Sequence, residues 1–173
     1  MSRLRCNNWH LFSKKYYLYN AYFQCPMLSA ELIAKYLIGK HKRIYAPKED
    51  VGDFVIVYNS KHIAMKDNSR FWDRFLYPIH TRFGTKRYDV IAREMHKRDP
   101  CEIIKREVRA NLPKDHMLKI NFERLKVYSD SFETIPAYMA QRASSHITPV
   151  FEIPKKLSDY GEELDNSPQL FDL

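Results

Sequence analysis

Gly39-Lys40-His41-Lys42-Arg43-Ile44-Tyr45-Ala46-Pro47 is followed, after four further residues, by Gly52-Asp53-Phe54-Val55-Ile56-Val57-Tyr58-Asn59. The second stretch holds a wholly apolar run between Gly-Asp and Asn, the pattern of a short strand buried on both faces, and such strands belong to parallel sheets covered by helices. The first stretch holds four basic or potentially basic side chains and no acid. A dense positive loop set between a glycine and a buried strand is a rigid display of charge, suited to the phosphates of a polyanion.

Working outward, Leu28, Leu32, Ile33, Tyr36 and Leu37 recur at helical spacing, and Gly39 supplies the stop. Trp9-His10-Leu11-Phe12 and Tyr16-Tyr17-Leu18-Tyr19 are aromatic-rich and strand-like. Beyond the buried strand, the pattern predicts a short strand over residues 62–65, an irregular aromatic and basic stretch over 66–87, and a helix over 88–97. Asp99-Pro100-Cys101-Glu102 reads as a helix start with a capping box. The buried face of that helix is Ile103, Ile104 and Val108, and Leu112-Pro113 ends it. A short helix over 118–124 then leads into a final strand, Leu125-Lys126-Val127-Tyr128. Strands alternating with helices predict an α/β fold with a short, mainly parallel sheet flanked by helices. After residue 130, prolines punctuate a weakly patterned tail, with one helix expected over 135–142 and an extended arm after it.

The chain has 173 residues, enough for one domain with tails, and its 45% hydrophobic content supplies a core. Its formal net charge of +8 is distributed unevenly. Five acids and no Lys or Arg lie between Asp159 and the end, which leaves 29 basic against 16 acidic residues before it. A basic body with an acidic end favours a polyanionic partner. Three scattered cysteines (Cys6, Cys25, Cys101) match neither a disulfide framework nor a metal site. No apolar run approaches the length needed to span a bilayer. The first acid is Glu31, so the start, with Arg3 and Arg5, has the composition of a mitochondrial targeting segment, as a basic protein can also have by chance. Trp9 to Tyr19 reads as the first structured element, which leaves little room for a long cleaved presequence.

Three basic clusters are candidate RNA contacts: Lys40, His41, Lys42 and Arg43; His80, Thr81, Arg82, Lys86 and Arg87; and Lys114, Lys119 and Arg124. In the second, bases alternate with aromatics. Planar side chains can stack on unpaired nucleotides while cations grip the backbone, although Phe71, Trp72, Phe75 and Tyr77 read better as packing residues. His80 has no metal-ligand pattern around it. A nucleophile elbow, a Walker loop and a dinucleotide fingerprint are all missing, so the sequence gives no catalytic residues and calls for no cofactor or metal.

The ordered set Gly39-Lys40-His41-Lys42, Tyr45 with Pro47, Gly52-Asp53 with Val55 and Asn59, His80-Thr81, Asp99-Pro100, Leu112-Pro113-Lys114 and Arg124-Leu125-Lys126-Val127-Tyr128 resembles the ribosomal protein L13 family over about residues 9–128. Trp9-His10, Ile153-Pro154-Lys155-Lys156-Leu157 and Asp159-Tyr160 further resemble its mitochondrial branch in animals. The resemblance implies a three-layer α/β domain over 9–128, a basic segment over 1–8, and a C-terminal extension over 129–173 that is acidic at its end. It implies a non-enzymatic constituent of the mitochondrial large ribosomal subunit, located in the matrix. Its partners would be large-subunit rRNA, through the three clusters, and neighbouring proteins of that subunit, through the extension. The alternative function is an extra-ribosomal RNA- or mRNA-binding regulator of translation. The sequence departs from the family pattern at Pro26-Met27-Leu28-Ser29-Ala30, where an Arg contact is lost, at Gly84-Thr85, at Ala110-Asn111 and at Leu118-Lys119.

Overall fold

The computed structural model describes residues 13–47, 49–64, 72–79 and 88–151. The apolar run forms strand β2 (Phe54–Tyr58), with Val55, Ile56 and Val57 at most 1% exposed. It lies parallel to β1 (Tyr16–Asn20) in the register Tyr16↔Phe54 to Asn20↔Tyr58. On its other side it pairs in parallel with β5 (Leu125–Val127), and β6 (Ala143–His146) pairs in parallel with the free side of β1. The sheet order is therefore β5-β2-β1-β6.

Alternate residues of the central strands face two apolar layers, as the two-residue strand period requires. Tyr19, Val55 and Val57 join the larger core with Ile33, Ala34 and Leu37 of helix α1 (Pro26–Ile38) and Ile103, Ile104 and Val108 of helix α3 (Glu102–Asn111). Leu18 and Ile56 face the opposite way, against Ile135 and against Met139 and Ala140 of helix α5 (Ala137–Arg142). Helix α1 begins with Pro26, whose missing N–H is harmless in a first turn. It ends at Gly39, where a φ of 87° turns the chain and the Gly39 N–H donates to the carbonyls of Lys35 and Tyr36.

Four sequence expectations are corrected. Residues 60–62 form a 3-10 turn where a strand was expected at 62–65, because Asn59 turns left-handed (φ 60°) and ends β2. Residues 88–97 divide into strand β4 (Tyr88–Ile91) and helix α2 (Ala92–Arg98). The partner of β4 is β3 (Leu76–Ile79), an antiparallel strand inside the stretch expected to be irregular. Pro78 obscures it in sequence, yet a two-stranded ribbon has open edges that tolerate proline. Tyr77 carries the ribbon into the core, where its hydroxyl donates to Glu107 at 2.8 Å. Burial, reinforced by the bond to Glu107 and its charge, pushes that phenol far up, so it remains a donor.

The third correction concerns the start of α3. Asp99 Oδ1 accepts from the Cys101 N–H at 2.9 Å, but Glu102 turns to Arg106 at 2.7 Å, so no capping box closes. The fourth concerns the tail. Helix α5 lies within the expected 135–142, but residues 143–151 pack on the body where an extended arm was expected: β6 pairs with β1, Ile147 is buried, and the buried Gln24 amide pairs both ways with the Phe151 backbone, each bond 2.8 Å. Helix α4 (Leu118–Glu123) and strand β5 lie where the pattern places them. The segment over 1–8, the strand-like stretch Trp9–Phe12 and the acidic end lie outside the described residues.

Val55→Asp places a carboxylate in a strand position with 0% exposure. The expected cost is several kcal/mol, against a typical total stability on the order of 10 kcal/mol. Thermal unfolding by circular dichroism should then show no cooperative transition; a near-native melt would refute the strand's buried register.

Candidate nucleic-acid interface

The basic loop is built at the point where α1 must stop and β2 must start. After Gly39, two successive turns (Lys42 N–H to Gly39 O at 3.0 Å, Tyr45 N–H to Lys42 O at 3.2 Å) send adjacent side chains in different directions. Lys40 and Arg43 point to solvent. The His41 ring stacks on Tyr36 (centroids 4.5 Å apart) and meets Tyr17 edge-on at 5.6 Å. Lys42 turns inward: its Nζ donates to Asp53 Oδ1 at 2.6 Å, Val51 O at 3.0 Å and Ser13 O at 3.2 Å.

Asp53 is the acid that the loop itself lacks. Its side chain is 0% exposed and also accepts from the Lys15 N–H at 2.8 Å. His41 Nε2 lies 2.9 Å from Asp53 Oδ2, a close contact off the line of a good hydrogen bond. Burial alone would raise the Asp53 carboxyl; the contacts from His41 and Lys42, the Lys15 amide and the Lys42 charge outweigh it and hold the group below its ordinary 3.8. The neighbouring Gly52 is fixed by space, because a Cβ there would sit 1.8 Å from the Leu37 carbonyl oxygen.

A second inward cation braces the same region. Arg124, at the entry to β5, is 4% exposed, and its guanidinium engages Asp50 through Nη2 and Gly52 O (3.3 Å) and Asn121 Oδ1 (3.4 Å) through Nη1. Lys14 meets Asp50 from the other side at 2.8 Å. Burial would raise Asp50, but the hydrogen bonds and charges of Arg124 and Lys14 prevail and lower it.

The expected contacts therefore sort by direction. Lys42 and Arg124, both expected to meet RNA, turn inward instead: the buried Asp53 holds Lys42, and Asp50, itself exposed, holds the buried Arg124 together with Gly52 O and Asn121 Oδ1. Lys40, Arg43, Lys114 and Lys119 are exposed, and His41 is half-buried. His80, Thr81, Arg82, Lys86 and Arg87 lie outside the described residues. The fold brings the Lys40 and Lys114 clusters together: the stretch holding Lys40, Tyr45 and Pro47 and the stretch holding Leu112, Pro113 and Met117 line one cleft. Lys15, an exposed cation directly before β1, was missed by the sequence reading, although the Lys14-Lys15 pair ahead of an aromatic strand was its signal. Among the described residues, no group of His, Cys, Asp and Glu could hold a metal ion, and no helix is long and apolar enough to cross a membrane.

Residues 14–134 match the family model of ribosomal protein L13. The chain is similar to the large ribosomal subunit protein uL13m of Drosophila melanogaster, 29% identical over 173 residues that span 97% of this chain and 93% of the relative. It is also similar to two bacterial proteins named large ribosomal subunit protein uL13. That of Blochmanniella pennsylvanica is 34% identical over 76% of this chain and 88% of the relative. That of Pelobacter propionicus is 37% identical over 59% of this chain and 70% of the relative.

Asp53→Asn leaves Lys42 buried without its counter-charge and is expected to lower stability by about 3–5 kcal/mol. Adding Lys42→Met should restore part of that loss in urea unfolding; strictly additive effects would show the pair is uncoupled. The wild-type protein should also be acid-sensitive. Both carboxyls are depressed in the folded state, so their contribution is complete above the ordinary value of 3.8 and is lost as pH falls through the lower folded values. Urea midpoints that stay constant from pH 6 down to pH 2.5 would contradict this.

Proposed function

Because the chain belongs to the ribosomal protein L13 family, we propose that it is a structural constituent of the large subunit of the mitochondrial ribosome. It binds large-subunit rRNA at the N-terminal edge of its parallel sheet. The observation that carries this reading is the division of the basic loop, with Lys42 held by Asp53 and Lys40 and Arg43 left facing solvent. Fixed cations beside a groove neutralise phosphates with little loss of side-chain freedom on binding.

Lys14, Lys15, the loop over 40–47 and the Lys114–Lys119 segment all precede strands, so the cations gather where β1, β2 and β5 begin. Small-molecule crevices in open α/β sheets lie at the opposite, carboxyl ends of the strands. The arrangement supports an architectural role without catalysis. His41, His80, Thr81, Arg82, Lys86 and Arg87 extend the proposed rRNA contacts. Neighbouring large-subunit proteins are proposed to meet the chain through its C-terminal extension, where the acidic end is repelled by exposed phosphate.

The test is the double variant Lys40→Glu/Arg43→Glu. It should melt like the wild type, and it should bind mitochondrial large-subunit rRNA with a log–log salt slope shallower by roughly 1.4–1.8, at about 0.7–0.9 per phosphate lost. In mitochondrial lysate it should leave the large-subunit fractions of a sucrose gradient. Normal co-sedimentation of this variant would make the loop ordinary solvated surface. Lys42→Glu should fail differently, by unfolding.

A further inference from the structure

The cleft between the basic loop and the segment after α3 has apolar side chains on both walls. Tyr45, Ala46 and Pro47 form one side, and Leu112, Pro113 and Met117 the other. Both walls are stiff. Glu49 N–H donates to Ala46 O at 3.1 Å and closes the first, and Leu118 N–H donates to Asp115 O at 2.9 Å and closes the second. Each contains a proline, which fixes one backbone angle. Arg124 ties them together, since it reaches Gly52 and Asp50 behind the loop and Asn121 within α4, which follows the opposite wall. The opening is thus held apart in advance.

Its polar lining is two carboxylates, the amides of Asn111 and Asn121, and one ammonium. Glu49 and Asp115 line it from opposite walls, and Lys40 stands at its edge. A cleft with apolar side chains on two stiff walls and polar groups between them can take a planar ring. Carboxylates at the slot accept from the N–H groups of a nucleobase edge, and an exposed ammonium beside it meets the phosphate attached to that base. One nucleotide carries ring, amine and phosphate together, whereas a protein segment would have to bring an aromatic ring and an acid at the matching spacing.

We propose that this cleft takes one unstacked RNA nucleotide, its base between the Tyr45–Pro47 wall and the Leu112–Pro113 wall and its phosphate on Lys40. The inference rests on the rRNA-binding reading above and deepens it: the cations supply salt-dependent attraction, and the slot supplies recognition that salt does not screen. Guanine, cytosine and adenine, which carry an exocyclic amine, suit the carboxylates; uracil, with carbonyl acceptors in place of an amine, suits them less.

The experiment uses the full chain and transcribed mitochondrial large-subunit rRNA. Ala46→Trp and, from the opposite wall, Met117→Trp each fill the slot while leaving every cation in place. Either variant that keeps the wild-type melting curve is expected to bind about tenfold more weakly, the scale of one lost base-stacking contact, with an unchanged salt slope. Ultraviolet crosslinking of intact large subunits, which needs no variant, should join a nucleotide to Tyr45 or Met117. If the filled variants bind like the wild type, or the slot crosslinks to a neighbouring protein, the nucleotide site is overturned. Loss of affinity and slope in Lys40→Glu/Arg43→Glu would then still uphold the rRNA reading. If that charge variant also binds like the wild type, both fall together.

Discussion

A fully buried carboxylate sits at the point where the basic loop joins the sheet, and the arrangement around it depends on neutralising that charge. An ionised Asp53 without partners would be too expensive to bury. Lys42, His41 and the Lys15 amide converge on it, and in doing so they fix the start of β1, the turn after α1 and the residue before β2 relative to one another. The Asp53 N–H completes the joint by donating to Tyr36 O at 3.2 Å. A loop tied at its middle by a buried pair cannot swing as a flexible basic tail would. Lys40 and Arg43 are therefore held on either side of a fixed point.

The same division of labour recurs at Arg124. Two of the cations closest to the proposed RNA surface are neutralised inside the protein, so net charge overstates what a phosphate meets. In exchange, the inward cations set geometry. Arg124 joins the loop before β2 to the helical turn before β5, and these are adjacent strands of one parallel sheet. Parallel neighbours bring like ends together, and so segments far apart in sequence, around residues 14, 43 and 114, share one edge of the molecule. An antiparallel arrangement of the same strands would have scattered them over two edges.

The central sheet was legible in sequence because its strands announce themselves locally: a continuous apolar run for β2, an aromatic run for β1, a hydrophobic start for β5. Helix α1 and the buried face of α3 follow from spacing alone. The ribbon β3–β4 was not legible. Pro78 argues against a strand, and the pairing that overrides it is made across a stretch that carries no hairpin turn signal. In the site, Lys42 and Arg124 look like any other bases, since a sequence does not say which way a charge points. The available signal lay in their surroundings. Asp53 directly precedes a wholly apolar strand and must meet an internal cation, and Arg124 directly precedes the buried Leu125. A charge at the threshold of a buried strand is better read as half of a pair than as free surface.

Strand β6 shows how the body closes. Ala143-Ser144-Ser145-His146 has neither the alternation nor the β-branched residues of an ordinary strand, and its formation depends on what β1 offers. An open edge of unpaired amides and carbonyls is a template for pairing, and leaving it bare invites association with other chains. The stretch after Thr134 supplies the cover from within the same chain. Helix α5 packs Met139 and Ala140 beneath Leu18 and Ile56, and β6 then follows along β1. Gln24 finishes the seam: its primary amide donates to and accepts from the Phe151 backbone as a neighbouring strand residue would. A buried side-chain amide can imitate a peptide in this way because it carries the same donor and acceptor in one plane. The path of the chain at Phe151 is thereby tied to the residues that lead into α1.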